Sequence, residues 1–372
     1  MPKEKSNDPS LLHDSTQFPT RLGCQGCPDL KFCGGLAVKK AMFDCTTLCT
    51  CTPSQREKCE LACPLNPSKL VTRFREIGGW DLVIPPARFL PTPKLPSMVP
   101  LIKDGARRRA AYRGRAVGIR LESLFSKRNG APRFKSRTEL CDRYRLSVDT
   151  PLLINGIHID QPLERYWDKG RAANLAEHIS ALKPDLMTVP NFSLFTDVPR
   201  HENMYNMRRI VTSWYELVEC NVPCALHLNA RTDHDWTRWI AFLGEHPEIT
   251  AVAFEFTTGA AGRRGKWYCR QLLKVASASM RPLTLVLRGG SRYLRRLARE
   301  FEQVVFVYAK PYVATMNRQS FVWAPGQPLE WESTPTAPED PLDSLFAHNV
   351  SVAEQMVASR IGMRIDSTPL PL

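Results

Sequence analysis

The sequence lacks the short motifs that mark several common enzyme classes. It contains no G-x-x-x-x-G-K-[ST] phosphate loop, and no G-x-G-x-x-G follows a predicted strand. It also contains no G-x-S-x-G, no H-E-x-x-H and no H-x-E combined with P-C-x-x-C. These absences argue against the common hydrolases, the zinc proteases and the nucleobase deaminases.

Long apolar runs are missing as well. The first residues, MPKEKSNDPS, are polar, and no apolar stretch typical of a signal peptide follows them. No run approaches the length needed to cross a bilayer. We therefore expect a soluble cytoplasmic protein that does not associate with membranes. In such a reducing compartment, a dense set of cysteines binds metal more often than it forms disulfides.

The chain of 372 residues exceeds the usual size of a single core, and its hydrophobic content of 43% supports a large one. We expect two domains or one barrel with appendages. Composition predicts five segments: a disordered lead (1–20), a cysteine-rich metal-binding module (21–68), a proline-rich linker (69–102), a basic α/β barrel-like domain (103–320), and a proline-rich tail with a terminal helix (321–372).

The cysteine-rich module contains eight of the twelve cysteines. They are Cys24, Cys27, Cys33, Cys45, Cys49, Cys51, Cys59 and Cys63. Eight thiolates complete two four-ligand sites, and both a structural zinc ion and a [4Fe–4S] cluster require four ligands. A module this small cannot build its own apolar core, so we expect the metal to have a structural role. Redox sensing or electron transfer is the alternative.

The spacing favours an iron–sulfur cluster over zinc. Only one C-x2-C pair occurs, and no histidine lies between Cys24 and Cys63. The C-x5-C-G-G spacing that ends at Gly35 resembles the auxiliary-cluster segment of SPASM-type proteins. The C-x3-C-P that ends at Pro64 resembles the end of a bacterial ferredoxin motif. These resemblances imply cluster ligation, most simply of [4Fe–4S], and zinc remains the alternative. Residues 45–51 are one residue short of the radical-SAM motif C-x3-C-x2-C, so we do not expect radical-SAM chemistry.

From residue 116 onward, short apolar runs alternate with amphipathic segments. The predicted strands lie at 116–121, 152–159, 186–190, 224–229, 250–256, 283–289 and 304–310, with a possible eighth at 80–85. Repeated strand–helix units predict a parallel sheet with helical crossovers. Seven or eight such strands favour a closed (β/α) barrel, and an open doubly wound sheet is the alternative.

Polar residues at the predicted strand ends are the candidates for catalysis, because parallel folds place their chemistry at the carboxyl ends of strands. The candidates are Asp197, His227, Glu255, Arg288 and Lys310. Glu255 interrupts an apolar strand, where an unpaired carboxylate is costly to bury. We interpret Glu255 and Asp197 as acid–base candidates, and Arg288 and Lys310 as partners for a phosphate or a developing anion. The alternatives are a structural ion pair for Glu255 and a core histidine for His227.

Positive charge concentrates in one part of the chain. The formal net charge is +14, and the window from Lys103 to Arg145 holds fourteen basic residues against four acidic ones, a net of +10. Within it we predict a nucleic-acid contact made by Arg107, Arg108, Arg109, Tyr112, Arg113 and Arg115. The arginines could neutralise phosphates and the tyrosine could stack on a base. A solvated basic loop is the alternative.

The segment PNFSLFTDVP at 190–199 carries a resemblance to a known family. Together with Asn206, Arg209 and a following strand that begins after Pro223, it resembles the domain-of-unknown-function family 4417. The resemblance spans about residues 95–315 and implies a phage or mobile-element context. It implies no reaction.

Three functions are therefore open from the sequence. The first is a metal-cluster protein that binds or processes DNA or RNA, with the acid–base candidates acting if it is an enzyme. The second is a non-catalytic nucleic-acid-binding adaptor with a structural zinc or iron–sulfur module. The third is a redox-linked enzyme that acts on a small molecule.

Overall fold

The structure is a computed structural model that describes residues 20–37, 44–49, 51–104, 107–257, 262–337 and 339–362. The predicted disordered lead, 1–20, lies outside the described residues except for its last position. Among the residues described, no helix combines the length and the apolar character needed to cross a membrane.

Eight parallel strands, hydrogen-bonded in chain order, form a nearly closed barrel. They are β1 (Met98–Pro100), β2 (Val117–Arg120), β3 (Leu152–Asn155), β4 (Leu186–Thr188), β5 (Cys224–His227), β6 (Ala251–Glu255), β7 (Thr284–Arg288) and β8 (Gln303–Tyr308). β1 pairs with β8, and a bridge between Leu101 and Gly118 brings the two ends of the sheet together. The Ile102 N–H donates to the Gly118 carbonyl at 2.9 Å across this seam. The predicted barrel-like α/β fold is confirmed.

The predicted eighth strand at 80–85 is wrong. Residues 80–85 form no strand, and the eighth strand is β1, which lies inside the predicted linker. Prolines at 85 and 86 lack the N–H that a central strand must donate. The segment instead anchors itself through the Trp80 ring, which is 3% exposed and packs edge-on against Phe74 and His201.

Helices surround the barrel and build the cysteine module. In chain order they are α1 (Leu22–Gln25), α2 (Leu30–Cys33), α3 (Pro53–Lys58), α4 (Pro67–Ile77), α5 (Arg137–Tyr144), α6 (Asp160–Arg165), α7 (Leu175–Ala181), α8 (Arg200–Glu219), α9 (Asp233–Glu245), α10 (Gly262–Ser279), α11 (Leu294–Leu297), α12 (Lys310–Met316) and α13 (Asp343–Ile361). A hairpin of β9 (Gln319–Val322) and β10 (Glu330–Ser333) precedes α13. Thr232 and Asp235 start α9 with a reciprocal capping box, each accepting the other's backbone N–H at 3.0 Å.

The apolar side chains form two layers, as period-two strands require. In β8, Val305 and Val307 belong to the cluster inside the barrel, whereas Val304 and Phe306 belong to the cluster between the strands and the helices. The inner cluster consists of leucine, alanine and valine in equal numbers, which keeps the barrel interior filled rather than open. The fold therefore leaves space for a ligand at the ends of the barrel.

The terminal helix α13 covers the barrel beside β1, because the described residues between β1 and β2 form no helix. The Phe346 ring of α13 lies 5.1 Å from the Tyr112 ring, measured between centroids. The Asp343 carboxylate accepts the backbone N–H of Arg109 at 2.9 Å. The segment after β1 is therefore held against α13.

Candidate functional site

The carboxyl ends of the strands surround a pocket of about 460 Å³. Six successive strands contribute polar residues to its wall: Arg120 from β2, His158 after β3, Asn191 after β4, His227 from β5, Glu255 from β6 and Arg288 from β7. Parallel strands all end on the same side, so residues distant in sequence converge there. This is the position at which (β/α) barrels place their active sites.

Glu255 is a fixed hydrogen-bond acceptor in this pocket. One carboxylate oxygen accepts from the Asn191 side-chain amide at 3.2 Å, and the other accepts from the Thr257 hydroxyl. Its Cα lies opposite that of Arg288 on the neighbouring strand. The carboxylate is only partly buried. Glu255 is therefore both oriented and reachable by a ligand in the pocket.

Three arginines line the same pocket: Arg120, Arg231 and Arg288. The Arg288 Nη1 donates to the Ile157 carbonyl at 2.8 Å, and Arg231 donates to the Tyr268 hydroxyl at 2.8 Å. Burial lowers the pKa of Arg288, and the Glu255 carboxylate opposes that shift. Guanidinium groups held in this way are suited to a bound carboxylate or phosphate.

His227 is buried at the wall of the pocket with only 1% of its surface exposed. Within the described residues, neither ring nitrogen has a hydrogen-bond partner. Burial, reinforced by the charge of Arg231, lowers the pKa of His227 to about 3, so the ring is neutral near pH 7. A buried polar group without a partner is costly, and such groups are usually satisfied by something bound beside them. His227 therefore keeps one donor and one acceptor that no described residue uses, at the wall of the pocket.

Two of the predicted catalytic residues do not line this pocket. Asp197 is exposed, and its backbone carbonyl lies 3.9 Å from the Cys49 thiol in the cysteine module. Lys310 is exposed at the first turn of α12. The loop after β4 lines the pocket as far as Phe195, and Asp197 lies beyond that point, beside the cysteine module. Lys310 lies in the helix that follows β8. Both residues are therefore separate from Glu255, His227 and Arg288, which the fold does bring together.

Sequence reasoning missed Arg120 and His158 as pocket residues. The His158 Nε2 lies 2.9 Å from the Glu122 carboxylate, and Arg120 lies 3.6 Å from the same group. Burial lowers the pKa of His158, and Glu122 opposes the shift. The sequence does contain a signal for Arg120, because this residue lies at the end of the predicted strand 116–121, where polar residues are candidates for the site. Arg120 also belongs to the basic window from Lys103 to Arg145, which hides that signal.

The predicted nucleic-acid segment divides into buried and exposed side chains. Arg108 is 3% exposed, and its guanidinium donates to the carbonyls of Tyr144 and Arg145. The Tyr112 hydroxyl is buried and its ring packs on Phe346. Both side chains pack against Phe346 of α13, so the structure does not present them on the surface for the predicted phosphate contact and base stacking. The side chains that remain exposed are Arg107, Arg109, Arg113 and Arg115.

Four of the eight module cysteines line one pocket of about 360 Å³, and we call them the first thiol group: Cys24, Cys27, Cys33 and Cys45. Cys24 lies in α1, Cys27 in the turn between α1 and α2, Cys33 at the end of α2, and Cys45 in the 3₁₀ turn Cys45–Leu48. The Gly35 N–H donates to the Cys33 sulfur at 3.1 Å. Gly35 adopts a φ of 78°, in the left-handed region, which allows its amide to approach the sulfur.

We call the other four cysteines of the module the second thiol group: Cys49, Cys51, Cys59 and Cys63. Burial raises the pKa of Cys49 to about 11, and the next causes are the charges of the three other members of this group. The Leu65 N–H donates to the Cys63 sulfur at 3.4 Å. The 3₁₀ turn Cys45–Leu48 links the two groups along the chain. It begins at Cys45 of the first group and is followed directly by Cys49 of the second.

A histidine from the barrel reaches the first thiol group. The ligand atoms of Cys27, Asp29 and His201 all lie within 4.8 Å of one another and could hold a metal ion. His201 belongs to α8, and its Nε2 lies 2.8 Å from the Asp29 carboxylate. The sequence argument from the absence of histidine is therefore corrected, because it considered only the segment from Cys24 to Cys63.

Arg200 connects the thiol pocket to the barrel. It lines the pocket of the first thiol group, is 1% exposed and forms an ion pair with Asp235. Asp235 also accepts the Arg231 backbone N–H at 2.8 Å, and Arg231 lines the pocket at the barrel end. Burial raises the pKa of the Cys33 thiol, and the charge of Arg200 opposes that shift. The two pockets therefore share a short chain of contacts.

A scan against protein-family models, a search of curated proteins and a search of solved structures each find no match to this chain. The resemblance to family 4417 and the resemblance of the cysteine spacings to cluster-binding motifs stay predictions.

Proposed function

We propose that this protein is a metal-containing enzyme that binds an anionic substrate at the carboxyl end of its barrel. One observation carries the proposal: a single pocket brings three arginines together with an oriented carboxylate, Glu255, and an unpartnered buried imidazole, His227. Buried polar groups are rarely left without a partner, and His227 lies at the wall of a cavity large enough for a ligand, which favours a binding site over a purely structural network.

The residue types suggest which side chains bind the substrate and which one transfers a proton. Arg120 and Arg288 would neutralise a phosphate or carboxylate group of the substrate. Neutral His227 would donate one hydrogen bond to the substrate or accept one from it. Glu255 would take or return a proton at an adjacent atom, since its carboxylate is held by two donors and is open to the pocket. The reaction class is acid–base chemistry beside a bound anion.

We further propose that the cysteine module binds an iron–sulfur cluster, with zinc as the alternative. The support is the number of thiols, the backbone N–H bonds to Cys33 and Cys63, and the size of the first thiol pocket. Tetrahedral zinc draws four sulfurs to about 2.3 Å from one point, which needs far less room than this pocket offers. When bound, a cluster would brace the module and could exchange single electrons.

Phosphate binding tests the proposed function directly. We expect inorganic phosphate, titrated calorimetrically into the full chain, to bind at one site. Arg288→Gln should weaken binding about tenfold or more, because a charged hydrogen bond contributes about 1.5–3 kcal/mol. Arg299→Gln is the matched control, since Arg299 is exposed and lies away from the pocket. Equal phosphate binding by Arg288→Gln and the wild type would reject the proposal.

Nucleic acid is a second candidate partner, favoured by the exposed arginines of the segment after β1 and by the net charge of +14. We propose that DNA or RNA contacts this face. Joint replacement of Arg107, Arg109 and Arg113 by glutamine should weaken oligonucleotide binding and flatten its dependence on salt, since fewer counterions are released. An unchanged salt slope would remove this face from consideration, whatever the result with phosphate.

A further inference from the structure

We infer that the module contains two separate four-thiolate metal sites, one in each thiol group, and that Arg200 donates N–H bonds to the metal group in the first site. The inference rests on the proposal that the module binds metal. It adds which cysteines share a site and which barrel residue recognises the bound group.

The pocket of the first thiol group supports a shared site. Its four cysteines come from α1, the turn after α1, α2 and the 3₁₀ turn, yet all four line one cavity. The module has little else to hold these segments together, because its own apolar cluster consists of buried Cys24 and Leu36 with partly buried Leu30, Cys45 and Leu48 packed against them. A metal group at the centre would join all of these segments at once.

Arg200 supplies the second, independent observation. Its guanidinium is buried at 1% exposure, and its Nε and Nη1 have no hydrogen-bond partner among the residues that the structure describes. Only its Nη2 is engaged, by Asp235. A buried cation with two unsatisfied donors therefore lies at the wall of a cavity that four cysteines line. Leaving them unpaired is costly, so a bound acceptor is expected there.

The charge of the bound group fits this cation. Four thiolates around a Zn²⁺ ion carry a net charge of −2, and four thiolates around an oxidised [4Fe–4S]²⁺ cluster carry the same charge. A buried dianion is stable only beside compensating donors and charge. Arg200 provides both, and it is itself fixed by Asp235 at the start of α9. The first site is therefore built jointly by the module and the barrel.

Cys27, Asp29 and His201 define the competing arrangement, a mononuclear site that uses a single thiol. That site would leave Cys24, Cys33 and Cys45 without a role. It also makes a different prediction, since it needs the histidine and the carboxylate, whereas a four-thiolate site needs neither as a ligand.

Metal stoichiometry in paired variants tests the partition. The full chain would be reconstituted without oxygen, once with equal amounts of ferrous and ferric iron plus sulfide and once with zinc alone, and the metal would be counted per chain. Cys24→Ser with Cys33→Ser, both in one group, should lose half of the metal. Cys33→Ser with Cys59→Ser, one from each group, should lose nearly all of it. Equal losses from the two pairs would overturn the inference. Cys220→Ser, outside the module, is the control and should lose none.

Two further variants separate the alternatives. His201→Gln should retain the full metal content, and loss of one metal would instead establish the mononuclear site. Arg200→Gln should shift the absorption or magnetic resonance spectrum of one site only. Asp235→Asn breaks the same ion pair but leaves Arg200 beside the thiols, so an identical spectral change in both variants would overturn the role of Arg200.

Failure of this inference is distinguishable from failure of the metal proposal. A wild-type chain that takes up neither iron with sulfide nor zinc rejects metal binding altogether. A fully loaded chain with the wrong pairwise losses rejects only the partition. Near-ultraviolet circular dichroism of the buried barrel tryptophans confirms in each variant that the barrel is folded, so metal loss can be assigned to the site.

Discussion

Arg200 and Asp235 form an ion pair that is almost completely removed from solvent, with side chains 1% and 0% exposed. Arg200 begins α8 and Asp235 lies in the first turn of α9, so the pair joins two neighbouring strand–helix units. Burial would raise the pKa of Asp235, but Arg200 and the Arg231 N–H lower it below its usual value. The pair also fixes the cation that faces the first thiol group.

Breaking this pair should strongly destabilise the protein. Asp235→Asn leaves the Arg200 charge buried without its partner, and we expect a loss of about 3–5 kcal/mol in the free energy of unfolding. Urea denaturation measures this change. Asp142→Asn, at an exposed position, should cost less than about 0.5 kcal/mol and serves as the control. A comparably small loss for Asp235→Asn would show that the pair does not brace the fold.

His227 should make the protein acid-sensitive. Its pKa is about 3 in the folded chain and near 6.5 when unfolded, so between these values only the unfolded state is protonated. Above about pH 6.5 the ring is neutral in both states and does not lower the free energy of unfolding. Below that pH the free energy of unfolding falls by about 1.4 kcal/mol per pH unit, because the proton binds only to the unfolded state. The measurement is the free energy of unfolding between pH 4 and 7, compared with His227→Gln. Parallel curves for the two proteins would contradict the prediction.

Glu255 should oppose anion binding while Arg288 favours it. Glu255→Gln removes a negative charge from the pocket but keeps an oxygen acceptor for Asn191 or Thr257. We expect inorganic phosphate to bind several-fold more tightly to this variant, because like charges in a partly buried site repel. Calorimetric titration measures the affinity. Weaker binding by Glu255→Gln would place the carboxylate among the groups that hold the anion, contrary to its proposed acid–base role.

Gly34 should be required for docking of the module. Its φ is 73°, and a Cβ at this position would overlap the His234 ring on α9. Gly34→Ala should therefore destabilise the contact between module and barrel by at least about 1–2 kcal/mol from backbone strain alone. Limited proteolysis of the module reports the loss.

Gly26→Ala is the matched control for Gly34→Ala, since Gly26 has a φ of −95° and open space around it. The Cβ of His234 is itself one of the overlapping atoms, so relief of the overlap requires glycine at position 234. The double variant Gly34→Ala with His234→Gly, compared with His234→Gly alone, should recover only the part of the loss caused by overlap. Full recovery would show that backbone strain contributes nothing.

Local sequence was sufficient where the physical cause is local. Short apolar runs predicted seven of the eight barrel strands, because burial on both faces makes each strand almost continuously apolar. It failed at β1, since Met98–Pro100 has only three residues and becomes a strand through its pairing with β8. The strand-end rule placed Glu255, His227 and Arg288 together, because parallel strands fix that geometry.

The same rule failed for Asp197 and Lys310. Asp197 lies well beyond the end of β4, and nothing in the residue type states which way the loop runs. Arg108 and Tyr112 look like a nucleic-acid contact in sequence, yet α13, more than two hundred residues away, buries them. Charge and aromatic content predict which ligands a segment could bind. Whether its side chains are exposed depends on the element that packs against it, which here is α13.

The sequence by itself determined the parallel barrel, the thiol-rich module and the polar residue types at the strand ends, because apolar periodicity and ligand chemistry are properties of short segments. Only the tertiary structure divided the eight thiols into two groups and brought Arg200 and His201 to the first of them. Those two residues lie more than 130 positions from every cysteine of the module. Their approach is fixed by how α8 packs against the module, which no local pattern encodes.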